Sequence, residues 1–502
     1  MDIPNEIKEI LDILQKNGYE AYIVGGCVRD LLRGITPHDW DITTNATPEK
    51  IEAVFALAKY QTFYENDFGT VSVVTPAEDP TLKTIEITPF RIEAKYSDQR
   101  HPDKVKFAKT LKEDLSRRDF TVNAMAVQVQ SSKFKVQSCS SKFKIIDLFG
   151  GQEDLKNKII RAVGEPEERF QEDALRLMRA ARFATTLSTN GLWTIEKATK
   201  SAIQKNAHLL RNISQERIRD ELIKIIMSPN GAKGVELLQE LGLLKFVIPE
   251  LEEGLNIDQS KHHTLQVYQH NVSSLNYACL QNFSLEVRLA ALLHDIAKPR
   301  VKKGQGESAI FYNHEIVGAK MSQQILQRLR FSKKQSDKIT KLVKYHLFYY
   351  NVDEVGSSSV RRLLRNVGPE NIEELLQVRK ADRIGSGVPK AEPYKLRHLK
   401  YLIEKVAQDP IAPKMIKMNG NEIMKILGIS AGPKIGQVLS YLLSQVLSEP
   451  EKNNQEFLEA EVKKLGKLSD QALQKLALQA KKDVEHVETK RDNMTKQKYW
   501  VT

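Results

Sequence analysis

Apolar residues recur three and four apart at Ile7, Ile10, Leu11 and Leu14 within a charged stretch, a spacing that predicts a helix over residues 5 to 17. The next segment, GYEAYIVGG, becomes continuously apolar and ends in two glycines, which predicts a short strand running into a turn. TPEKIEAVFALA then reads as a helix with Thr47 as its cap and Pro48 at its first position, and GTVSVVTP and LKTIEITPF read as strands. From about residue 153 the strand signal fades, and EDALRLMRAARFATTL, SQERIRDELIKIIM, LEVRLAALLHDIAK and KQSDKITKLVKYHL all keep helical spacing. LGISAGPKIGQVLSYLLSQVL reads as a glycine-punctuated helical pair, and the Lys-rich tail from about residue 463 as one or two exposed helices with a frayed end. The fold class expected is α+β: a small N-terminal domain with a mixed sheet, followed by an elongated all-α remainder.

Composition changes this picture little. A chain of 502 residues exceeds one ordinary core and suggests about three or four domains. The net charge of +12 favours a polyanionic partner. Three scattered cysteines, Cys27, Cys139 and Cys279, exclude a disulfide framework and fit a reducing compartment, with the cytoplasm as the default. No segment reads as a signal peptide, and none approaches the roughly 18 apolar residues a membrane span needs. The pentapeptide SSKFK occurs twice between residues 131 and 144 and reads as a local duplication in a polar hairpin.

The string DWD sets Asp39 and Asp41 two apart. On a strand, side chains at i and i+2 share a face, so the two carboxylates can jointly hold divalent cations that bridge a nucleotide's phosphates. Two carboxylates with Mg²⁺ suit phosphoryl transfer, because the ion lowers the pKa of an attacking hydroxyl and screens charge on phosphorus and on leaving pyrophosphate. Gly25 and Gly26, ahead of a helix expected to begin near Val28, let backbone amides approach those phosphates.

GGCVRDLLRG, DWDITT, EDLSRRDFTVNAMA and IDLFGGQEDLKNKIIRAVG together resemble the class II nucleotidyltransferases of the DNA polymerase β superfamily. That group comprises the CCA-adding tRNA nucleotidyltransferases and bacterial poly(A) polymerases. The resemblance implies a polymerase β-like head over residues 1–150, a helical neck over 151–225, a helical body over 226–400 and a helical tail over 401–502. It implies contacts to the incoming triphosphate from Gly25, Gly26, Arg29 and Asp30, and catalytic metal binding by Asp39 and Asp41, with Glu86 as a third carboxylate. It further implies ribose and triphosphate contacts from Arg118, Asp119 and Asn123. The duplicated SSKFK departs from the short connection usual in the family before IDLFGG, a segment that marks the end of the head and a flexible switching element.

EDALRLMRAARF is similar to the family's nucleotide-selecting helix, with Glu172, Asp173, Arg176, Arg179 and Arg182 at three- and four-residue spacings that bring them to adjoining faces, and the resemblance implies nucleotide binding by Asp173, Arg176, Arg179 and Arg182. Cytosine and adenine both present an exocyclic amine beside a ring-nitrogen acceptor, whereas uracil and guanine present a carbonyl there. Asp173 would accept from the amine and Arg176 would donate to the ring nitrogen, so that U or G sets one acceptor against another. NISQERIRDELIKII resembles the neck-closing motif, and Arg217, Arg219, Asp220 and Glu221 are expected to brace the selecting helix.

Downstream, His270 in VYQHNV, His294 and Asp295 in LLHDIAKP, His314 in YNHEIVG, His346 in VKYHLF and Asp382 in KADR resemble an HD-family phosphohydrolase domain. Imidazoles and carboxylates so supplied can bind one or two transition metals, such as Mn²⁺ or Ni²⁺, and activate water against phosphoesters such as 2′,3′-cyclic phosphates. The leading reading is an enzyme that adds C, C and A to tRNA 3′ ends from CTP and ATP without a nucleic-acid template, with HD phosphohydrolase activity beside it. Lys and Arg side chains would hold the acceptor and T arms. A poly(A) polymerase and an enzyme adding only CC or only the terminal A stay open. PFRIEAKYSDQRHPDKVKFAKTLKEDLSRRDF and KMNGNEIMKILGISAGPKIGQVLSYLL are closer to the CCA-adding pattern than to poly(A) polymerase. A silent tRNA-binding protein is disfavoured, since a binding module has no need of Asp39 and Asp41 next to an RNA 3′ end.

Overall fold

The Asn5–Lys16 helix buries Ile7, Ile10, Leu11 and Leu14, the four positions its spacing marks, and lays them against a mixed sheet. In this computed structural model the described residues are 2–64, 69–94, 104–129, 143–188, 191–259, 265–348, 350–352, 354–388, 390–407 and 416–501. Among the described residues of the first 150 there are nine strands: β1 (Ala21–Val24), β2 (Asp41–Thr44), β3 (Gln61–Tyr64), β4 (Val71–Val74), β5 (Thr84–Pro89), β6 (Arg91–Ala94), β7 (Lys104–Phe107), β8 (Met125–Val129) and β9 (Phe143–Asp147). Seven of them form one sheet in the order β3-β4-β5-β2-β1-β8-β9, while β6 and β7 pair separately. Only the β2–β5 pairing in that sheet is parallel. Ile23, Ile42, Val71, Val73, Ile85, Ile87 and Val127 supply the sheet's share of the core, packed with Ile51 and Phe55 of the Pro48–Leu57 helix. Burial of this kind is worth about 2 kcal/mol for each large aliphatic side chain, so the strands are held firmly where β2 starts with Asp41 and β5 carries Glu86 beside it.

The first compact unit comprises residues 1–347 with 373–389, and the second residues 348–372 with 390–502. Beyond the head, the described residues of the first unit are mainly helical, with a parallel pair, Ile159–Ile160 with Thr194–Ile195, whose two-residue strands are too short to show an alternating pattern. The selecting segment is not one helix. Pro166–Glu172 ends at Asp173, whose backbone is extended (φ −134°, ψ 103°), and Leu175–Thr186 begins anew, with the Asp173 carboxylate accepting from the Leu175 N–H at 3.0 Å. Three- and four-residue spacing runs on across this break, which is why the sequence reads as continuous.

In the second unit, Gly420–Leu427 and Pro433–Ser448 form the glycine-separated pair, with Gly428 in the left-handed region (φ 64°) ending the first. Ile423, Val438, Leu442, Leu458, Val462 and Leu473 make its core. The tail is not frayed: Asp470–Lys498 is a 29-residue helix, and Lys498 and Tyr499 bond Glu404 at 2.7 and 2.6 Å. The first SSKFK and residues 140–142 of the second lie outside the described residues.

Candidate functional site

The register of β2 against β5 sets Asp41 beside Glu86, and β1 sets Val24 opposite Asp41, so the glycine turn that follows Val24 opens next to the acids. Asp39 lies in the bend before β2 instead of on the strand, with Trp40 buried between the two aspartates. Burial raises the Asp41 carboxyl above its usual range, Arg118 pulls it back, and the Asp39 charge adds to the rise. A half-buried carboxylate with a like charge beside it is the donor set a divalent cation relieves, so these residues fit a hard cation such as Mg²⁺. Gly25 has φ +82°, and a Cβ there would stand 2.9 Å from Arg118 Nη1 and 3.1 Å from Asp41 Oδ2. Glycine alone permits that backbone and that approach. The helix it caps starts at Gly26, earlier than expected.

Behind this edge runs a chain of hydrogen bonds. Arg29 donates to Asp30 at 2.8 and 3.0 Å and to Asn123 at 2.7 Å. Asn123 donates to Asp119 at 3.1 Å, and Arg179 donates to the other Asp119 oxygen at 2.7 Å. Burial alone would raise the Asp119 carboxyl, but Arg179 and Asn123 hold it down to about 2. The Gly26–Leu32 helix is thereby tied to Leu175–Thr186, and Asp119 and Asp30, implied as nucleotide contacts, spend their carboxylates inside the protein, Asp30 on Arg29 and Arg33.

Arg176 is turned inward as well, donating to Glu172 at 2.8 Å and to the Arg169 and Arg117 carbonyls at 3.1 and 2.9 Å. Arg217 reaches Asp173 at 3.3 Å, and Arg182 bonds Glu221 while lying 3.8 Å over the Phe183 ring. Of the four expected braces, Arg217 and Glu221 touch the selecting segment, whereas Arg219 bonds Asp220 and the Arg330 carbonyl. Sequence reasoning missed Asp114, fully buried between Arg117 at 2.8 Å and Arg118 at 3.5 Å, although the i, i+3, i+4 spacing of EDLSRR carries that signal.

The six histidine and aspartate positions converge from five helices: Val267–Leu280, Leu285–Leu293, His314–Arg328, Lys333–Tyr345 and Ile372–Gly385, each holding a ligand within it or at its end. His270 and His294 face each other Nε2 to Nε2 at 2.9 Å, with Asp295 Oδ2 at 3.2 and 3.3 Å and Asp382 Oδ1 at 3.3 and 3.6 Å. The second Asp295 oxygen stands 3.2 Å from His314 Nε2 and 3.7 Å from His346 Nε2. Two donor groups thus share Asp295: His270, His294 and Asp295, and Asp295, His314 and His346. The Nδ1 atoms of His294, His314 and His346 lie 2.7–2.8 Å from the carbonyls of Ala291, Phe311 and Val343. A carbonyl only accepts, so Nδ1 carries a proton in all three rings, which leaves Nε2 as the atom that presents a lone pair to the cluster whenever the ring is neutral. Burial would lower His294, yet Asp295 and Asp382 raise it to about 10, whereas burial and the His294 charge push His346 down to about 3. Against burial, the carboxylates of Asp295 and Asp382 raise His270 as well, so they draw positive charge onto the facing rings, a charge that a bound cation would replace, and the donor chemistry fits a transition metal. Lys298, missed in the sequence although it follows Asp295 by three, bonds Asp295 at 2.6 Å.

Comparison with known proteins matches family models to the segments that carry the head acids and the histidine–aspartate cluster. The poly A polymerase head domain model matches residues 21–161, the probable RNA and SrmB-binding site of polymerase A residues 193–255, and the HD domain residues 262–386. The chain is 46% identical to a CCA-adding enzyme of Ligilactobacillus salivarius over 248 residues, 49% of this chain and 55% of that one, so that it spans about half of that relative's length. It is 32% identical to an A-adding tRNA nucleotidyltransferase of Deinococcus radiodurans over 431 residues, 84% of this chain and 90% of the relative. A crystal structure of the Bacillus stearothermophilus CCA-adding enzyme in complex with CTP superposes with a TM-score of 0.54 at 28% identity, covering 92% of this chain and 98% of that one. Fold and matched domains define a nucleotidyltransferase-type head joined to an HD domain, both of which imply dependence on divalent metals. The chain belongs to the tRNA nucleotidyltransferase family. No helix among the described residues is long and apolar enough to cross a membrane.

Proposed function

We propose that this protein adds C, C and A to the 3′ end of tRNA from CTP and ATP, without a nucleic-acid template. The observation that carries the reading is the register that sets Asp41 beside Glu86, next to the Gly25 turn and Arg118. Asp39, Asp41 and Glu86 would hold Mg²⁺, which when bound lowers the pKa of the attacking tRNA 3′ hydroxyl and neutralises the leaving pyrophosphate. Gly25 and Gly26 leave room for the triphosphate at the backbone, and Arg118 pairs with its oxygens. Arg29 and Asn123, fixed through Asp119 and Arg179, hold the glycine helix in place. Asp173, oriented by Arg217, accepts from the amine of cytosine or adenine, and Arg176 donates to the ring nitrogen once its guanidinium leaves Glu172.

The working division is head 1–150, neck 151–225, body 226–400 and tail 401–502, with residues 348–372 grouped with the tail unit. The tRNA acceptor and T arms are held by Lys and Arg side chains of the helical parts, in keeping with a net charge of +12. Buried unpaired Cys27 and Cys279 suit the cytoplasm. The HD cluster would bind Mn²⁺ or Ni²⁺, which would activate water to cleave one P–O ester bond of a phosphoester; from a 2′,3′-cyclic phosphate that leaves one free hydroxyl and a phosphate monoester.

Purified chain with Mg²⁺ and tRNA lacking its last three nucleotides tests this. CTP alone should extend the tRNA by two, both nucleotides should extend it by three and stop, and UTP or GTP should add nothing. No incorporation, or long tracts from ATP alone, contradicts the reading. A second reading, addition of the terminal A only, is favoured by the relative aligned over 90% of its own length, an A-adding enzyme. It requires that ATP be used only on tRNA ending in CC and that CTP be ignored.

A further inference from the structure

Phe183 lies toward the end of the Leu175–Thr186 helix and is 5% exposed, so burial alone accounts for an apolar residue there. It does not account for what surrounds the ring. The guanidinium carbon of Arg182 stands 3.8 Å from the ring centroid, that of Arg179 5.2 Å and that of Arg29 5.5 Å. Arg179 and Arg182 are neighbours on the same helix, but Arg29 belongs to the Gly26–Leu32 helix of the head. Phe120, also of the head, meets Phe183 edge to face with 5.7 Å between centroids. Each guanidinium has one carboxylate to answer it, Asp30 for Arg29, Asp119 for Arg179 and Glu221 for Arg182. Crowding persists even so: burial lowers Arg182 and the Arg179 charge adds to the fall, although Glu221 draws it up. An aromatic ring attracts such cations where water is excluded, and an aliphatic side chain of the same bulk does not.

The leverage of this contact is geometric. Arg176, Arg179 and Phe183 follow one another at three- and four-residue steps and share one face of their helix, so a shift of the ring carries Arg176 with it. Asp173 stands immediately ahead of that helix. Arg29 lies in the helix that opens at the Gly25–Gly26 turn. The ring thus joins the element expected to read the base to the element expected to take the triphosphate.

We propose that Phe183 is a specificity-determining positioning residue, whose ring, through its hold on Arg29, keeps Asp173 and Arg176 at a fixed place relative to the triphosphate turn. The proposal rests on the reading of template-free nucleotide addition and names a residue that sets its selectivity without touching the nucleotide.

The test is made on the full chain with Phe183 replaced by phenylalanines carrying one, two and three ring fluorines, which keep the shape and progressively remove the negative face, and by cyclohexylalanine, which keeps the bulk without that face. Values of kcat/KM are measured for CTP, ATP, UTP and GTP on tRNA ending before the first C and on tRNA ending in CC. The preference for CTP and ATP over UTP and GTP should fall about twofold with each fluorine and about tenfold with cyclohexylalanine, at an unchanged melting temperature, and the trend should flatten with Arg29→Gln. A preference that keeps its wild-type value across the series, losses equal for all four triphosphates, or a trend as steep with Arg29→Gln overturns the proposal. If cyclohexylalanine unfolds the chain, the fluorine series decides alone. Calorimetric titration with CTP and UTP separates this proposal from the reading beneath it. A chain that adds no nucleotide yet binds CTP over UTP, by a margin that shrinks along the fluorine series, sinks the addition reading and leaves the role of Phe183 standing. Addition with a preference untouched by fluorine sinks the role of Phe183 alone, and a chain that neither adds nor binds CTP sinks both.

Discussion

In the head, Asp39 and Glu86 are exposed and Asp41 half-buried at the end of a strand, whereas His270, His294, Asp295 and His346 are no more than 2% exposed among helices. Among the described residues, only the helical cluster brings three ligand atoms within 4.8 Å of one another. The two constructions suit different loads. An edge that must receive a triphosphate and an RNA end together leaves ligand positions to its substrates, so its acids stay apart and the rigidity lies behind them, in the Arg29–Asn123–Asp119–Arg179 chain. A buried site closes its ligand set before any substrate arrives, and backbone carbonyls three residues back fix each ring. Openness therefore costs the head little stability, while the buried cluster depends on every member being charge-compensated.

The largest effect that sharpens this contrast is expected at Asp41. Asp41→Asn should cut nucleotide addition about a thousandfold or more with little change in melting temperature, measured by tRNA extension and calorimetry; a large loss of stability would mean that the head site is not open in the sense argued. Asp295→Asn comes next. Because both donor groups share Asp295, metal content by mass spectrometry and phosphoesterase activity should vanish together and stability should fall by about 3 kcal/mol, while nucleotide addition persists. Equal damage to addition would break the comparison. Asp173→Asn should leave addition running but narrow the preference for C and A over U and G by about 10- to 100-fold, read from kcat/KM for the four triphosphates. The smallest effect concerns acid. With Asp119 held at about 2 against an ordinary carboxyl near 3.9, its ion pair contributes fully above about pH 4 and is lost as pH falls toward 2. Asp119→Asn should flatten the pH dependence of unfolding in that window by about 2 kcal/mol.

The histidine–aspartate cluster was legible because all six positions carry unusual residue types in a recognisable order, and the helices that deliver them are strongly periodic. The head acids were legible through the resemblance of GGCVRD and DWD to a known family, which implied Glu86 as a third carboxylate, while the strand register that puts Glu86 beside Asp41 emerged only in the structure. Direction was harder to read. Residue type says that Asp119, Arg176 and Asp30 are polar; it does not say that their partners are Arg179, Glu172 and Arg29, because those pairings depend on which way a side chain turns after packing. The break at Asp173 is hidden in the sequence because three- and four-residue spacing continues on both sides of it, while its carboxylate accepts from the Leu175 N–H where the next helix begins. Residues 348–372 group with 390–502 across an intervening segment that belongs to the first unit with Asp382, a grouping no local pattern along the chain shows. The firm end of the tail rests on Glu404, some 94 residues before its partner Lys498, a distance no local pattern spans.

The most direct measurement is anomalous diffraction from crystals of the full chain grown with Mn²⁺ and CTP. The account predicts metal at the Asp41–Glu86 edge, with the triphosphate at the Gly25–Gly26 turn and the cytosine against Asp173, and separate metal inside the Asp295 cluster. Mn²⁺ confined to the Asp295 cluster, or a triphosphate bound away from Gly25 and Asp41, would contradict it.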